Sequence, residues 1–88
     1  MKRGIIIDPR DNVGIVCENV LAGETVDFSG LNIKALEDIE LPHKIALRDI
    51  GLGDLVVKYG GTIGYATAPI KKGAHVHVHN VDSEQMMK

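Results

Sequence analysis

The chain has 88 residues, 44% of them hydrophobic but with 1 Phe, 2 Tyr and no Trp, and a formal net charge of −2. That length supports one small domain around an aliphatic core, and the charge excludes the basic face that nucleic acid requires. A single cysteine, Cys17, excludes an internal disulfide, and the apolar residues 5–7 are too few for a signal-peptide core or a membrane span.

The expected compartment is therefore the cytoplasm, and Cys17, in an apolar run, is expected in the core. Residues 5–7 form a β-branched run closed by the turn-rich segment Asp8-Pro9-Arg10-Asp11-Asn12. Residues 13–17 predict a second strand. A turn unit then occurs three times, as Val20-Leu21-Ala22-Gly23-Glu24-Thr25-Val26, Ile50-Gly51-Leu52-Gly53-Asp54-Leu55-Val56 and Ile70-Lys71-Lys72-Gly73-Ala74-His75-Val76. Its glycine marks a tight turn with positive φ, and its flanking apolar residues anchor both sides. The copies are spaced unequally, which excludes a solenoid and suggests a pseudo-symmetric single domain.

Leu31, Ile33 and Ala35 alternate with polar neighbours as in a half-buried strand. Residues 35–40 are open between a helical turn and irregular chain, with Pro42 close behind. Residues 43–49 alternate again, placing Ile45 and Leu47 on one face and Lys44, Ala46 and Arg48 on the other. Residues 55–59 and 63–67 predict a hairpin turning at Gly60-Gly61. In His75-Val76-His77-Val78-His79 a strand would put the valines on one face and three of the four histidines on the other. Residues 1–82 thus read as one domain and 83–88 as a polar tail or linker. The expected class is all-β: a small barrel of short strands and Gly-rich turns.

The histidine strand is the first place to look for chemistry. Neighbours i and i+2 on one face lie roughly 6.5–7 Å apart, so a pair can lean onto one cation. His75 and His79, about 13 Å apart on a straight strand, cannot. A pair completed from elsewhere is the feasible metal site; a His-rich surface strand is the alternative. His43 opens a strand after Pro42, and Lys44 and Arg48 share a face able to receive a carboxylate or phosphate. Tyr59-Gly60-Gly61 could bring backbone close to a ligand, or simply make the hairpin. A chain this small has little room for a deep pocket, so any chemistry would use a shared site.

The segments His43-Lys44-Ile45-Ala46-Leu47-Arg48-Asp49-Ile50, Val57-Lys58-Tyr59-Gly60, Ile63-Gly64-Tyr65-Ala66-Thr67 and Gly73-Ala74-His75-Val76-His77-Val78-His79-Asn80-Val81 resemble, in order and spacing, the SAF domain of the altronate and galactarate dehydratase family. They are similar also to the free-standing alpha subunit of sulfolactate sulfo-lyase. The sequence departs from that pattern at Pro42 and Ala74, where Gly and Glu are common. The resemblance implies a β-clip (SAF-like) fold and a role in eliminating water or sulfite from a 2-hydroxy acid, as in sugar-acid metabolism. The chain would then be a small subunit or N-terminal domain, inactive alone and completed by a larger lyase subunit or domain. It further implies His43, Lys44 and His77 as catalytic residues, and Arg48, Tyr59, Gly60 and Asn80 as substrate contacts. A divalent metal, Fe²⁺ or Mn²⁺, would be shared with the partner through His77 and His79. A non-catalytic sugar-acid-binding or assembly module is the competing reading, and a homo-oligomer is also compatible.

Overall fold

The computed structural model describes residues 1–83. The described chain is all-β: β1 (Lys2–Ile5), β2 (Val13–Val16), β3 (Thr25–Phe28), β4 (Leu31–Lys34), β5 (Lys44–Ala46), β6 (Leu55–Lys58), β7 (Gly61–Ala66), β8 (His75–Val76) and β9 (Val81–Asp82). Six strands form one sheet in the order β4-β3-β1-β2-β5-β8, and three form another in the order β6-β7-β9. Every named pairing is antiparallel except that of β1 with β3. No helix among the described residues is long and apolar enough to cross a membrane.

The repeated turn unit organises this topology, and it occurs four times. The copy hidden in the sequence is Ile39-Glu40-Leu41-Pro42-His43-Lys44-Ile45. In all four units the fifth residue's N–H donates to the second residue's carbonyl: Glu24 to Leu21, His43 to Glu40, Asp54 to Gly51 and Ala74 to Lys71. Gly23, Gly53 and Gly73 hold φ of 90°, 82° and 90° at the fourth residue, the value that a type II turn needs there. In the remaining unit Pro42 takes that place after a cis peptide bond, which makes the turn type VI.

The units work in pairs. Val20 bridges Ile39, and Ile50 bridges Ile70. The residue before each bridge position braces the opposite turn: Asn19 Oδ1 accepts from Leu41 N, Asp38 Oδ1 from Ala22 N, and Asp49 Oδ1 from Lys72 N. Pro69 stands in the fourth such place and has no side-chain acceptor to offer. Each pair encloses a hairpin, β3–β4 or β6–β7, so residues 20–46 and 50–76 are two versions of one arrangement.

Each half has its own core. Val16, Val20, Val26, Phe28, Ile33, Ala35, Ile39 and Ile45 form the first, and Val13, Ala46, Ile50, Val56, Ala66, Ile70 and Val76 the second. β2 and β5 carry side chains into both cores, which is why Ile45 and Ala46 are each 0% exposed. The β1–β2 loop ties the second hairpin down. Asn12 Oδ1 accepts from Val57 N at 2.8 Å and its Nδ2 donates to Leu55 O at 2.9 Å. Asp11 Oδ1 accepts from Gly60 N.

Several expectations need correction. The first strand is Lys2–Ile5, displaced from residues 5–7 because β1 pairs with β3 through Lys2 and Arg3. Cys17 is exposed; it follows the last residue of β2 and lies outside both cores. Of the two readings left open for residues 35–40 the structure takes the irregular one: Ala35, Leu36 and Ile39 donate their N–H groups to the Glu24, Gly73 and Val20 carbonyls. β5 ends at Ala46, so Leu47 and Arg48 do not continue the alternation. The second hairpin turns at Tyr59-Gly60, both with positive φ (57° and 72°), the requirement of a type I′ loop. The strand expected across the histidines stops at Val76. Of the expected tail, Ser83 is described; residues 84–88 lie outside the described residues.

Candidate functional site

The histidines gather because of sheet register and one turn. β5 and β8 run antiparallel with Lys44 opposite Val76 and Ile45 opposite His75. Extending that register by one residue sets His43 opposite His77, on the face that carries His75. The centroids of His43 and His77 are 4.1 Å apart with planes 15° from parallel. His43 Nδ1 and His75 Nε2 lie 2.8 Å apart in rings parallel to 2°. Such a short N···N distance is a hydrogen bond made edge to edge, with one nitrogen donating and the other accepting.

The chain after Val76 turns instead of running straight. Asn80 and Val81 both donate their N–H to the His77 carbonyl. The Asn80 side chain closes the turn: its Oδ1 accepts from His77 N at 3.0 Å, and its Nδ2 donates to His75 O at 2.8 Å. Val78 is thereby 80% exposed at the tip instead of sharing a buried face with Val76. The same turn folds His79 back until its ring centroid is 4.9 Å from that of His75, a proximity that a straight strand would forbid.

All four imidazoles therefore form one cluster, with Lys44 beside it. Partial burial pushes His75 below the usual imidazole range. Positive charge on His79 and His43 adds to that, while Glu37 opposes it. His77 is pushed down by desolvation and by the charges of His43, Lys44 and His79. Burial lowers Lys44, and the charge of Lys58 lowers it further. A neutral imidazole is a proton acceptor, and both His75 and His77 are pushed toward that form. A shallow depression of about 230 Å³, lined by Lys44, Ile63, His77, Val78, Val81 and Ser83, adjoins them. A larger hollow of about 320 Å³ lies at Met1, Lys2, Glu24 and Thr25, none of which belongs to the cluster.

The fold thus unites His43, Lys44, His77 and His79 and adds His75. It sets the remaining expected residues apart. Arg48 is an exposed residue of the bend after β5. Tyr59 and Gly60 form the hairpin tip, where Gly60 is held by Asp11. Asn80 touches the site through its backbone partners, both ends of its amide being engaged in the turn. The ring pairings join His77 to His43 and His79 to His75, so His77 and His79 are not the pair that is brought together. Among the described residues no group of three or more His, Cys, Asp or Glu side chains is disposed to hold a metal. The two nitrogens in closest register, on His43 and His75, fall short of the three protein ligands of a catalytic zinc site.

Sequence reasoning missed two neighbours. Glu37 Oε2 accepts from His75 N at 3.0 Å across 38 residues, a contact that no local pattern signals. Lys58, half-buried on β6, is close enough to depress Lys44. Its hairpin is held to the β1–β2 loop through Asn12, and its ammonium lies over the Tyr59 ring.

Comparison with known proteins bears on this cluster. The family model described as the altronate/galactarate dehydratase SAF domain matches residues 2–84. Altronate dehydratase of Bacillus subtilis is 42% identical over 80 residues, which are 91% of this chain and 16% of that protein. The (2R)-sulfolactate sulfo-lyase subunit alpha of Chromohalobacter salexigens is 34% identical over 88 residues, 92% of this chain and 94% of that subunit. Galactarate dehydratase (L-threo-forming) of Escherichia coli is 36% identical over 73 residues, 82% of this chain and 14% of that protein. The chain therefore spans a small part of the dehydratases and nearly the whole of the sulfo-lyase subunit.

Proposed function

This chain belongs to the altronate/galactarate dehydratase SAF-domain family, and on that premise we propose that it is the small subunit or N-terminal domain of a carbon–oxygen or carbon–sulfur lyase. It lends His43, Lys44 and His77 to a site completed by a larger catalytic partner. The substrate is a 2-hydroxy acid such as altronate, galactarate or sulfolactate, which loses water or sulfite. One observation carries this reading: Lys44 and His77 converge from β5 and the turn after β8 on an open depression of about 230 Å³, with His43 stacked on the His77 ring. That volume is below the roughly 300–1,000 Å³ of self-sufficient small-molecule sites, which is the reason to expect no turnover from this chain alone.

In the proposed elimination a base removes the proton α to the carboxylate, and a cation faces the negative charge that develops on the enediolate. His77 is the base, its neutral form favoured by desolvation and by the positive groups around it. Lys44 is the cation beside it. His43 is oriented by its hydrogen bond to His75. A divalent metal, Fe²⁺ or Mn²⁺, would supply further charge stabilisation when bound; the partner would have to contribute most of its ligands, with the nitrogens of His43 and His75 the nearest candidates here. The proposed setting is the cytoplasm.

The test is a chimera in which this chain replaces the corresponding segment of the Bacillus subtilis altronate dehydratase. His77→Ala in an active chimera should lower kcat by about 10²–10⁴, the usual contribution of a general base. Unchanged turnover after His43→Ala, Lys44→Ala and His77→Ala would overturn the catalytic reading and make the domain a binding or assembly module.

A further inference from the structure

The tip of the second hairpin carries a side chain that its backbone disfavours. Tyr59 has φ of 57°, a left-handed conformation that Asn, Asp and Gly adopt readily and in which a bulky residue is an outlier. Tyr59 is also 57% exposed, so no core burial offsets the strain. The first hairpin makes the same turn without an aromatic. Ser29-Gly30 has φ of 53° and 102°, and its brace is local, from Gly30 N to Asp27 Oδ1 at 2.8 Å. Strain retained at an exposed position points to function.

The second tip is instead braced from distant sequence. Asp11, itself 4% exposed, accepts from Gly60 N at 2.8 Å, and the two bonds of Asn12 fix β6 just before the turn. The bidentate Arg10–Asp8 pair packs against Gly60, where a Cβ would meet Arg10 Nη2 at 2.6 Å and Asp8 Oδ2 at 2.7 Å. Lys58 Nζ lies 4.6 Å from the Tyr59 ring centroid. The tip is therefore a rigid aromatic beside an exposed guanidinium. Tyr and Arg are the side chains that dominate binding at protein interfaces, most of all when pre-organised.

The heading of the chain argues for the occupant. β9 runs antiparallel to β7, with Val81 opposite Ala66 and Asp82 opposite Tyr65, so it advances along β7 toward Gly61 and the tip. Where the domain opens a longer lyase chain, the following polypeptide leaves on that heading, with about 13 Å of strand between Tyr65 and Gly61. We propose that the Tyr59-Gly60 tip is the docking anchor for the larger catalytic part of the lyase, which receives the Tyr59 ring in an apolar pocket with a polar rim. The inference rests on the lyase reading for the identity of the partner. It gives that reading a contact surface apart from the four imidazoles, and makes Tyr59 a partner contact instead of a substrate contact.

The test compares the free 88-residue chain with its chimera with the Bacillus subtilis altronate dehydratase, by tetranitromethane nitration and peptide mass spectrometry. Tyr59 should react readily in the free chain and be protected in the chimera, with half-buried Tyr65 as the internal reference. Tyr59→Asn should raise the Tm of the free chain by about 4–8 °C, because Asn tolerates this turn. In the chimera the same change should speed release of the domain by thermolysin about 30-fold, the scale of one lost anchor side chain. Tyr59→Phe should keep the domain docked, and Ser29→Asn should not speed release. Equal nitration of Tyr59 in both proteins, an Asn variant no more stable than the wild type, or unchanged release would overturn the inference. So would protection in the free chain that grows with concentration, which would give the tip to a second copy. A chimera with His77-dependent turnover and an unprotected Tyr59 would remove the docking anchor alone. A protected Tyr59 in a chimera whose turnover ignores His77 would remove the lyase reading alone.

Discussion

Gly14→Ala should unfold this domain more readily than any surface change, because of where Phe28 sits. The Phe28 ring packs against Gly4 of β1 and Gly14 of β2, and a Cβ built on Gly14 would stand 2.9 Å from Phe28 Cζ and closer still to Cε1. That is inside normal contact distance, and the ring is 4% exposed within the first core, so neither partner has open space to enter. Overpacking of this kind costs about 1–3 kcal/mol. Alanine's better strand entropy returns only about 0.5–1 kcal/mol, so the steric term wins. An 88-residue domain has roughly 4–13 kcal/mol in all, and each kcal/mol moves Tm by about 4–8 °C at this size. Phe28→Leu should cost about 1–2 kcal/mol on its own by lost burial. If the clash is the cause, Gly14→Ala in the Phe28→Leu background should cost less than in the wild type, with a coupling of about 1 kcal/mol. Urea denaturation of the four proteins measures it. Additive losses, or a Gly14→Ala cost within about 0.5 kcal/mol of zero, would refute the argument.

Asn12→Ala removes both bonds to β6 and leaves Val57 N and Leu55 O without their side-chain partner; the expected loss is about 2–4 kcal/mol, with faster hydrogen exchange at Val57 as the local readout. Acid should also destabilise the fold through His75 and His77. Folding pushes both below the ordinary imidazole range, so the unfolded chain takes up protons first as pH falls. Their contribution is present above about pH 6.5 and is lost as pH drops through the folded values. Thermal melts at about pH 5 and about pH 7.5 should show this drop, and His75→Gln with His77→Gln should flatten it. Glu37→Gln keeps an acceptor for His75 N but removes the charge that opposes the depression; the His75 titration midpoint should move further down by NMR, and an unchanged midpoint would exclude Glu37 as a charge partner.

Much of this was legible locally. Alternation and turn chemistry located most strands, and three turn units were visible through their glycines. The fourth was hidden because Pro42 stands where the others have glycine, so the 19-residue spacing from Val20 to Ile39 and the 20-residue spacing from Ile50 to Ile70 could not be recognised as matching. The histidine segment shows the opposite failure. Its period-2 pattern is strong enough to suggest a strand through His79, but Asn80 offers His77 N and His75 O a side-chain alternative to the ladder. Glu37 and Lys58 were out of reach because their links to the site cross large sequence separations.

The fourfold unit also explains why the histidines lie on one side of the molecule. At its fifth residue the first and third copies carry an acid that closes its own turn: Glu24 Oε1 accepts from Leu21 N, and Asp54 Oδ2 from Gly51 N. The second and fourth copies have His43 and Ala74 there, neither of which can cap the turn as a carboxylate does. His43 is consequently available to bond His75, which lies one position later in the fourth copy. These two copies are the ones joined by β5 and β8, so loss of the acidic cap occurs twice at the same sheet boundary. Restoring it should dismantle the site without harming the fold. His43→Glu is expected to bond its own turn at Glu40 N, preserve the antiparallel β5–β8 amide pattern, and release the His75 ring. A nuclear Overhauser contact between the rings of His75 and His77 that persisted unchanged would show that His43 is not what holds the cluster together.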